Sequence, residues 1–430
     1  MSESSTPRTP AVARREIFGW CCFDFANSAF TTIVITVVGL PYFTGAIAAG
    51  HPQAEGWWGS SLSFSQALVI LLSPLVGVFA DVTARKKRFL FSTALLCSLA
   101  TATIFWVQPG QVLLMLALLV VANLGFSLSE NICSAFLPEI STPENVGRIS
   151  GYGWSFGYFG GLLSLVLALV IVKSGEGMAR WTFLMTGAFF LCASVPTLLL
   201  VRERARPRAL GPGETVPRLA WAQLATMRRD LPQHRTLAAF FVAMTVYLSG
   251  LMAVIAFAAG YATSAIGMTQ NEVIVLFAVL QLAGVAGAFG FGFLQDRTGP
   301  KVPLVLALGL WITVCVWAAF CRSVGEFYVI GVLAGVAMGS LQSASRAVVS
   351  TLTPPGRSAE FFGYWGFFGK LAGVIGPLVF GWLVIGLGYR HAILANAGFF
   401  LLGAVFLIPL GLKRAAGAAQ VRGGTGVSGE

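Results

Sequence analysis

Residues 302–321, VPLVLALGLWITVCVWAAFC, run for twenty positions without one charged side chain. At 1.5 Å per residue that is the length an α-helix needs to cross the roughly 30 Å hydrocarbon core of a bilayer. The run is a continuous apolar block with no period-two alternation, so it does not read as a barrel strand, the other structure that can span lipid. Lys301 and Arg322 bound it at its two ends. Working outward, eleven more runs of spanning length can be marked: 17–48, 58–80, 89–107, 111–138, 149–173, 181–201, 237–263, 272–295, 326–352, 361–386 and 389–412. The expected fold is an all-α membrane protein of twelve transmembrane helices.

The composition agrees. Charged residues make up 10% of the 430 and apolar residues 56%, whereas soluble domains carry roughly 25% charge. Phe occurs 34 times and Gly 50 times, and Gly is commoner in membrane helices than in soluble ones. So few charges cannot cover a water-facing surface.

The net charge of +11 raises nucleic acid or an anionic membrane as a partner, and its distribution decides between them. With twelve spans, 22 of the 28 Lys and Arg fall in tails and loops on one side. Four fall on the other side (Lys173, Arg180, Arg322, Arg390), and two lie within spans (Arg346, Lys370). This is the positive-inside pattern, not a nucleic-acid patch. It places both termini in the cytoplasm and the protein in the cell membrane.

Seven cysteines show no metal or redox spacing and read as small buried hydrophobes. His51, His234 and His391 are too dispersed for a metal site, so neither a metal nor a cofactor is expected. The first apolar run follows a polar stretch and lacks a small-residue cleavage site, so it reads as a retained helix.

The longest interruption, 202–236, begins Arg202-Glu203-Arg204-Ala205-Arg206-Pro207-Arg208 and divides the spans six and six. The expected organisation is a tail at 1–16, a six-helix bundle at 17–201, a linker at 202–236, a second bundle at 237–412 and a tail at 413–430. Within the linker, Ala220, Leu224, Met227 and Leu231 share one helical face. A helix lying in the membrane interface and a solvated linker both fit that pattern.

The two halves repeat one another. Gly151-Tyr152-Gly153-Trp154-Ser155-Phe156-Gly157 matches Gly363-Tyr364-Trp365-Gly366-Phe367-Phe368-Gly369 at an offset of 212. Pro143 with Pro355 and Gly161 with Gly373 keep that offset. A second echo joins the ends of spans 2 and 8, where Gly77 and Asp81 followed by Arg85-Lys86-Lys87-Arg88 parallel Gly292, Asp296-Arg297, Gly299 and Lys301.

Gly292-x-x-x-Asp296-Arg297-x-Gly299-x-Lys301 resembles the loop motif of the major facilitator superfamily, which is built from two parallel six-helix halves. The first copy departs from the motif, with Val82 after Asp81 and Ala84 where Gly is usual. Phe23-Asp24-Phe25-Ala26-Asn27-Ser28-Ala29-Phe30, Leu137-Pro138-Glu139-Ile140, Gln342-Ser343-Ala344-Ser345-Arg346 and Pro354-Pro355-Gly356-Arg357-Ser358-Ala359-Glu360-Phe361-Phe362-Gly363 are similar to the vacuole-effluxer-like branch. That branch is named for an autophagy-related amino-acid exporter of fungal vacuoles.

The resemblance implies a central cavity lined by spans 1, 4, 7 and 10 and contacts between spans 5 and 8 across the halves. Asp24, Glu130, Arg346 and Lys370 are charges set inside spans, where each costs about 2.5–3.5 kcal/mol on insertion scales, so each is a functional candidate. Asn27, Ser28, Asn123, Asn131, Ser134, Tyr247, Gln342 and Ser345 add polarity to the same spans. The 212 offset sets Glu130 opposite Gln342 and Ser134 opposite Arg346, making Glu130 and Arg346 the expected pair. Gly77, Asp81, Arg85, Gly292, Asp296 and Arg297 read as a conformational latch, because an acid at a helix C-terminus needs a compensating cation. Gly153, Gly157 and Gly161 form a small-residue row at a helix–helix interface, with packing inside one bundle as the alternative to contact across the halves.

These features imply a secondary transporter of a small organic solute working by alternating access, without an enzyme's residue cluster. No GxxxxGK[ST] motif occurs, so uphill work falls to an ion gradient or counter-solute, with protons carried by Asp24 or Glu130 as the candidate coupling. Amino-acid export leads by the resemblance. Export of drugs, sugars or other organic solutes and a non-transporting sensor are the alternatives.

Overall fold

A computed structural model describes residues 13–141, 146–204, 214–299, 301–353 and 358–412. The side chains of Asp81, Asp296 and Arg346 lie outside the described set. The spanning helices are α1 (Arg14–Val37), α2 (Ala54–Thr83), α3 (Lys86–Thr103), α4 (Val112–Ser134), α5 (Val146–Lys173) and α6 (Trp181–Leu200). After a linker helix (Val216–Asp230) come α7 (Arg235–Tyr261), α8 (Gln270–Thr298), α9 (Lys301–Phe320) and α10 (Val324–Leu352). The last helical run, Ser358–Leu407, breaks at Gly388, whose φ of 76° and ψ of 164° are not helical. It therefore supplies two spans, α11 before the break and α12 after it, completing twelve.

Local chemistry sets the helix starts. Thr269 and Glu272 form a capping box on α8, with the Glu272 amide donating to Thr269 Oγ1 at 3.3 Å and the Thr269 amide to Glu272 Oε2 at 2.8 Å. Ser323 caps α10 in the same manner through the Glu326 amide. The tight turn between α8 and α9 uses Gly299 at φ 80°, in the left-handed region that a Cβ disfavours. Its counterpart between α2 and α3 is Ala84, forced into the same region at φ 50°.

Each half packs on its own polar and small-residue seams. Asn123 donates to Ser65 Oγ at 2.6 Å and Asn131 to Ser73 Oγ at 2.8 Å, two rungs between α2 and α4. In the other half Tyr247 and Ser345 share a 2.8 Å hydrogen bond between α7 and α10. Unpaired polar groups are costly away from water, so these rungs satisfy their members and fix helix register. The linker helix is capped by Thr215 and packs on α2 with Ala220 buried, while Trp221, Arg228 and Arg229 are exposed. Just before it, Arg204 meets Glu16 at 2.9 Å and its amide donates to Glu139, which also holds Lys86 at 2.9 Å. These contacts tie the start of the linker to the first half.

The described chain starts and ends on one face of the bundle, the termini face. The halves approach most closely on the opposite, far face. A Cβ on Gly59 of α2 would overlap the Pro377 carbonyl oxygen of α11 and stand 3.1 Å from Phe257 of α7. One on Gly381 of α11 would stand 2.7 Å from the Glu55 carbonyl oxygen. Trp382 donates to Ser60 Oγ and Gln270 to the Val37 carbonyl, each at 3.1 Å. Leu40, Phe43, Trp58 and Phe257 are fully buried in this seal. Toward the termini face, added Cβ atoms on Gly363, Gly366 and Gly369 of α11 would meet nothing within 4 Å among the described residues.

Candidate functional site

Among the described residues, one ion pair bridges the two halves on the termini side. Lys370 of α11 donates from Nζ to Glu130 Oε2 of α4 at 3.0 Å. Glu130 sits one turn from the end of α4, whereas Lys370 lies deeper in α11. Helical side chains lean toward the helix N-terminus, which carries the lysine ammonium back toward the termini face. The Glu130 side chain is 44% exposed and that of Lys370 21% exposed, so water reaches the pair. Sequence symmetry sets Glu130 against Arg346; the partner the structure gives it is Lys370, and the Arg346 side chain is outside the described residues.

The other expected cavity residues divide into groups. Asp24 on α1 packs its carboxylate against Gly153 of α5 beside Trp20, and Ser28 donates to the Asp24 carbonyl at 2.8 Å and packs against Gly157. Asn27 is buried nearby. Ser134 is exposed at the end of α4 and Gln342 is half-buried on α10. Tyr247, Ser345 and Asn123 belong to internal seams: the first two are fully buried against each other, and Asn123 is spent on Ser65. Expectation placed all three in the central cavity, and helical position alone could not show that their polar atoms were already matched. Asn131 bonds Ser73 beside a small cavity lined by Gly77 and Lys86, which lies between α2 and α4 and not between the halves.

The glycine row of α5 is likewise reassigned. Gly153 and Gly157 face α1 of their own half, which is the intrabundle packing alternative, and only Gly161 reaches across to α8, with a Cβ there 2.8 Å from Gln281 Oε1. Gly160, which was not singled out, packs on the Phe25 backbone. The glycines that let the halves approach are Gly56, Gly59, Gly260 and Gly381 at the far face. Their spacing resembles ordinary membrane-helix glycine, so no pattern distinguished them. Among the latch residues, a Cβ on Gly77 or Gly292 would meet nothing within 4 Å among the described residues, and Arg297 is exposed. Among the described residues no His, Cys, Asp and Glu cluster is arranged to hold a metal ion.

Comparison with known proteins places this geometry. The family described as "Vacuole effluxer Atg22 like" matches residues 58–420. An uncharacterized MFS-type transporter, YxiO of Bacillus subtilis, is 25% identical over 84% of this chain and 86% of its own length. Autophagy-related protein 22 of Kluyveromyces lactis is 23% identical over 86% of this chain and 88% of its own. The chain spans about half the length (54%) of autophagy-related protein 22 of Yarrowia lipolytica. Among solved structures, a bacterial homolog of the human lysosomal transporter Spinster, inward-facing and unoccupied, superposes with a TM-score of 0.69 at 15% identity, covering 94% of this chain and 97% of that one. The nucleoside transporter NupG gives 0.68 at 14%, covering 93% and 99%. With the fold shared by these transporters and most of its length matched, the chain belongs to the vacuole effluxer Atg22-like family of major facilitator superfamily membrane transporters.

Proposed function

We propose that this protein is a secondary active transporter that exports a zwitterionic, amino-acid-like solute by alternating access. The observation that carries the reading is the Glu130–Lys370 bridge, with one charge supplied by each half. A solute bearing an ammonium and a carboxylate is the complement of that pair. Its carboxylate takes over Lys370 and its ammonium takes over Glu130, so neither protein charge is left bare when the bridge opens. With the solute gone, the charges return to each other. A neutral sugar or drug offers no such exchange.

The far face is sealed by backbone-close contacts between the halves, while the termini face is spanned by side chains. We assign the termini face to the cytoplasm from the 22-to-4 division of basic residues. Solute then enters from the cytoplasm, and rocking of the halves exposes it on the far side. The effluxer description of the family and the name of the exporter branch support that direction. Protonation of Glu130 would release Lys370, so Glu130 is the leading candidate for proton coupling and Asp24 the second.

Counterflow into proteoliposomes, with each of the twenty L-amino acids and with glucose and uridine as neutral controls, tests the reading. We expect uptake of amino acids and not of the controls. Glu130→Gln and Lys370→Met each abolish it, and the swap Glu130→Lys with Lys370→Glu restores part. Wild-type rates in either single variant overturn the proposal.

A further inference from the structure

We infer that Gln66 and its counterpart Gln281, one on each boundary between the halves, supply hydrogen-bonding positions at mid-membrane that take the uncharged polar part of the solute, so that the preferred cargo carries a side-chain donor. The inference rests on the charge-pair reading above for the solute's ends, but its evidence is separate. Gln66 lies on α2, with its stem 3.3 Å from where a Cβ on Gly373 of α11 would stand. Gln281 lies on α8, with its carboxamide 2.8 Å from the corresponding point on Gly161 of α5. Each glutamine thus reaches across the boundary between halves onto a glycine of the other half.

The two contacts are equivalent. Gln66 and Gln281 are 215 positions apart, the offset that relates Asp81 to Asp296, and Gly161 and Gly373 are 212 apart. Gly161 and Gly373 are each 15 residues into their helices, about 22 Å of rise, which places both contacts near the middle of the membrane. Gly373 also lies three residues beyond Lys370, on the same face of α11. The Gln66 contact therefore lies on the same face of α11 as Lys370, about one helical turn deeper than the lysine backbone.

Its hydrogen-bonding state points to a ligand. Gln66 Oε1 is buried and accepts no hydrogen bond among the described residues. An acceptor left so in a membrane interior is costly, and a solute N–H or O–H would satisfy it. Thr32 adds a hydroxyl oxygen 3.0 Å from the same Gly161 point that Gln281 approaches. Carboxamides and a hydroxyl carry no charge, so they select a neutral polar group such as an amide or alcohol.

The test uses the full chain in a Cys192→Ser background, because Cys192 is the exposed cysteine among seven. Gln66→Cys and Gln281→Cys should react with a membrane-impermeant methanethiosulfonate from the cytoplasmic side, and a pool of the twenty L-amino acids should slow that reaction severalfold. In Gln66→Leu the ratio of glutamine to leucine counterflow should fall about fivefold to tenfold, the size of one neutral hydrogen bond. Gly161→Ala, which displaces the Gln281 carboxamide and crowds the Thr32 hydroxyl, should lower the ratio in the same direction and covers the case that Gln281→Leu does not fold. Absence of labelling, labelling that the pool does not slow, or an unchanged ratio in Gln66→Leu overturns the subsite. Failure of the wild type to move any amino acid strikes instead at the charge-pair reading.

Discussion

Replacing Gly59 with Ala adds one methyl group where α2 of the first half meets α11 of the second. That methyl would overlap the Pro377 carbonyl oxygen, stand 3.0 Å from the carbonyl carbon and lie 3.1 Å from Phe257 Cζ. Carbon atoms pack at about 3.5–4.0 Å, so the helices must separate by roughly half an ångström or more. Neither obstacle is the free end of a flexible side chain: one is backbone and the other a fully buried ring. Overpacking of this kind costs typically 1–3 kcal/mol. The cost falls on the far-sealed arrangement alone, because Gly59 is released when the halves part there. The ratio of far-open to far-sealed molecules should therefore rise about fivefold to a hundredfold at 1.4 kcal/mol per decade. Spin labels placed one on each half at the far face, read by pulsed dipolar spectroscopy in nanodiscs, would report this as growth of a longer-distance population. Gly157→Ala is the control: its methyl meets Ser28 Oγ at 2.9 Å within one half, so it should lower thermal stability and leave the distances alone. An unchanged distance distribution in Gly59→Ala, with the protein folded, would refute the assignment of this contact to the seal.

Three further outcomes are expected. Ala84→Gly relieves a left-handed backbone that costs an alanine about 1–2 kcal/mol, so the thermal midpoint should rise by about 1 °C or more; a fall would mean that the turn is not strained. Asn123→Ala removes the donor of the buried 2.6 Å rung to Ser65 and should cost about 1–2 kcal/mol of stability with the solute affinity of the folded protein unchanged, as a binding titration would show. A reporter fused after Arg208 should behave as cytoplasmic, and an external signal from it would reverse the proposed orientation.

Much of the architecture is written in the linear chain, because the bilayer imposes it locally. A segment such as 302–321 has no option but to close its backbone hydrogen bonds within one helix, whatever its neighbours do. The twelve spans, the six-and-six division at 202–236 and the duplicated Gly-Tyr and Gly–Asp segments follow from length, charge and repetition, each a property of adjacent residues. Charges stranded in such segments are equally visible, which is why Glu130 and Lys370 were legible as candidates one by one. Their pairing was not. Internal symmetry argued for Glu130 with Arg346, whose side chain lies outside the described residues, whereas the partner the structure shows, Lys370, comes from a helix that the symmetry did not point to. The same holds for Tyr247, Ser345 and Asn123, whose polar atoms are matched within their own half, and for Gly157, which faces α1 and not α8. Which side of a helix meets which neighbour depends on rotations of tens of degrees and separations of about an ångström. Only the packing of all twelve helices together determines those quantities.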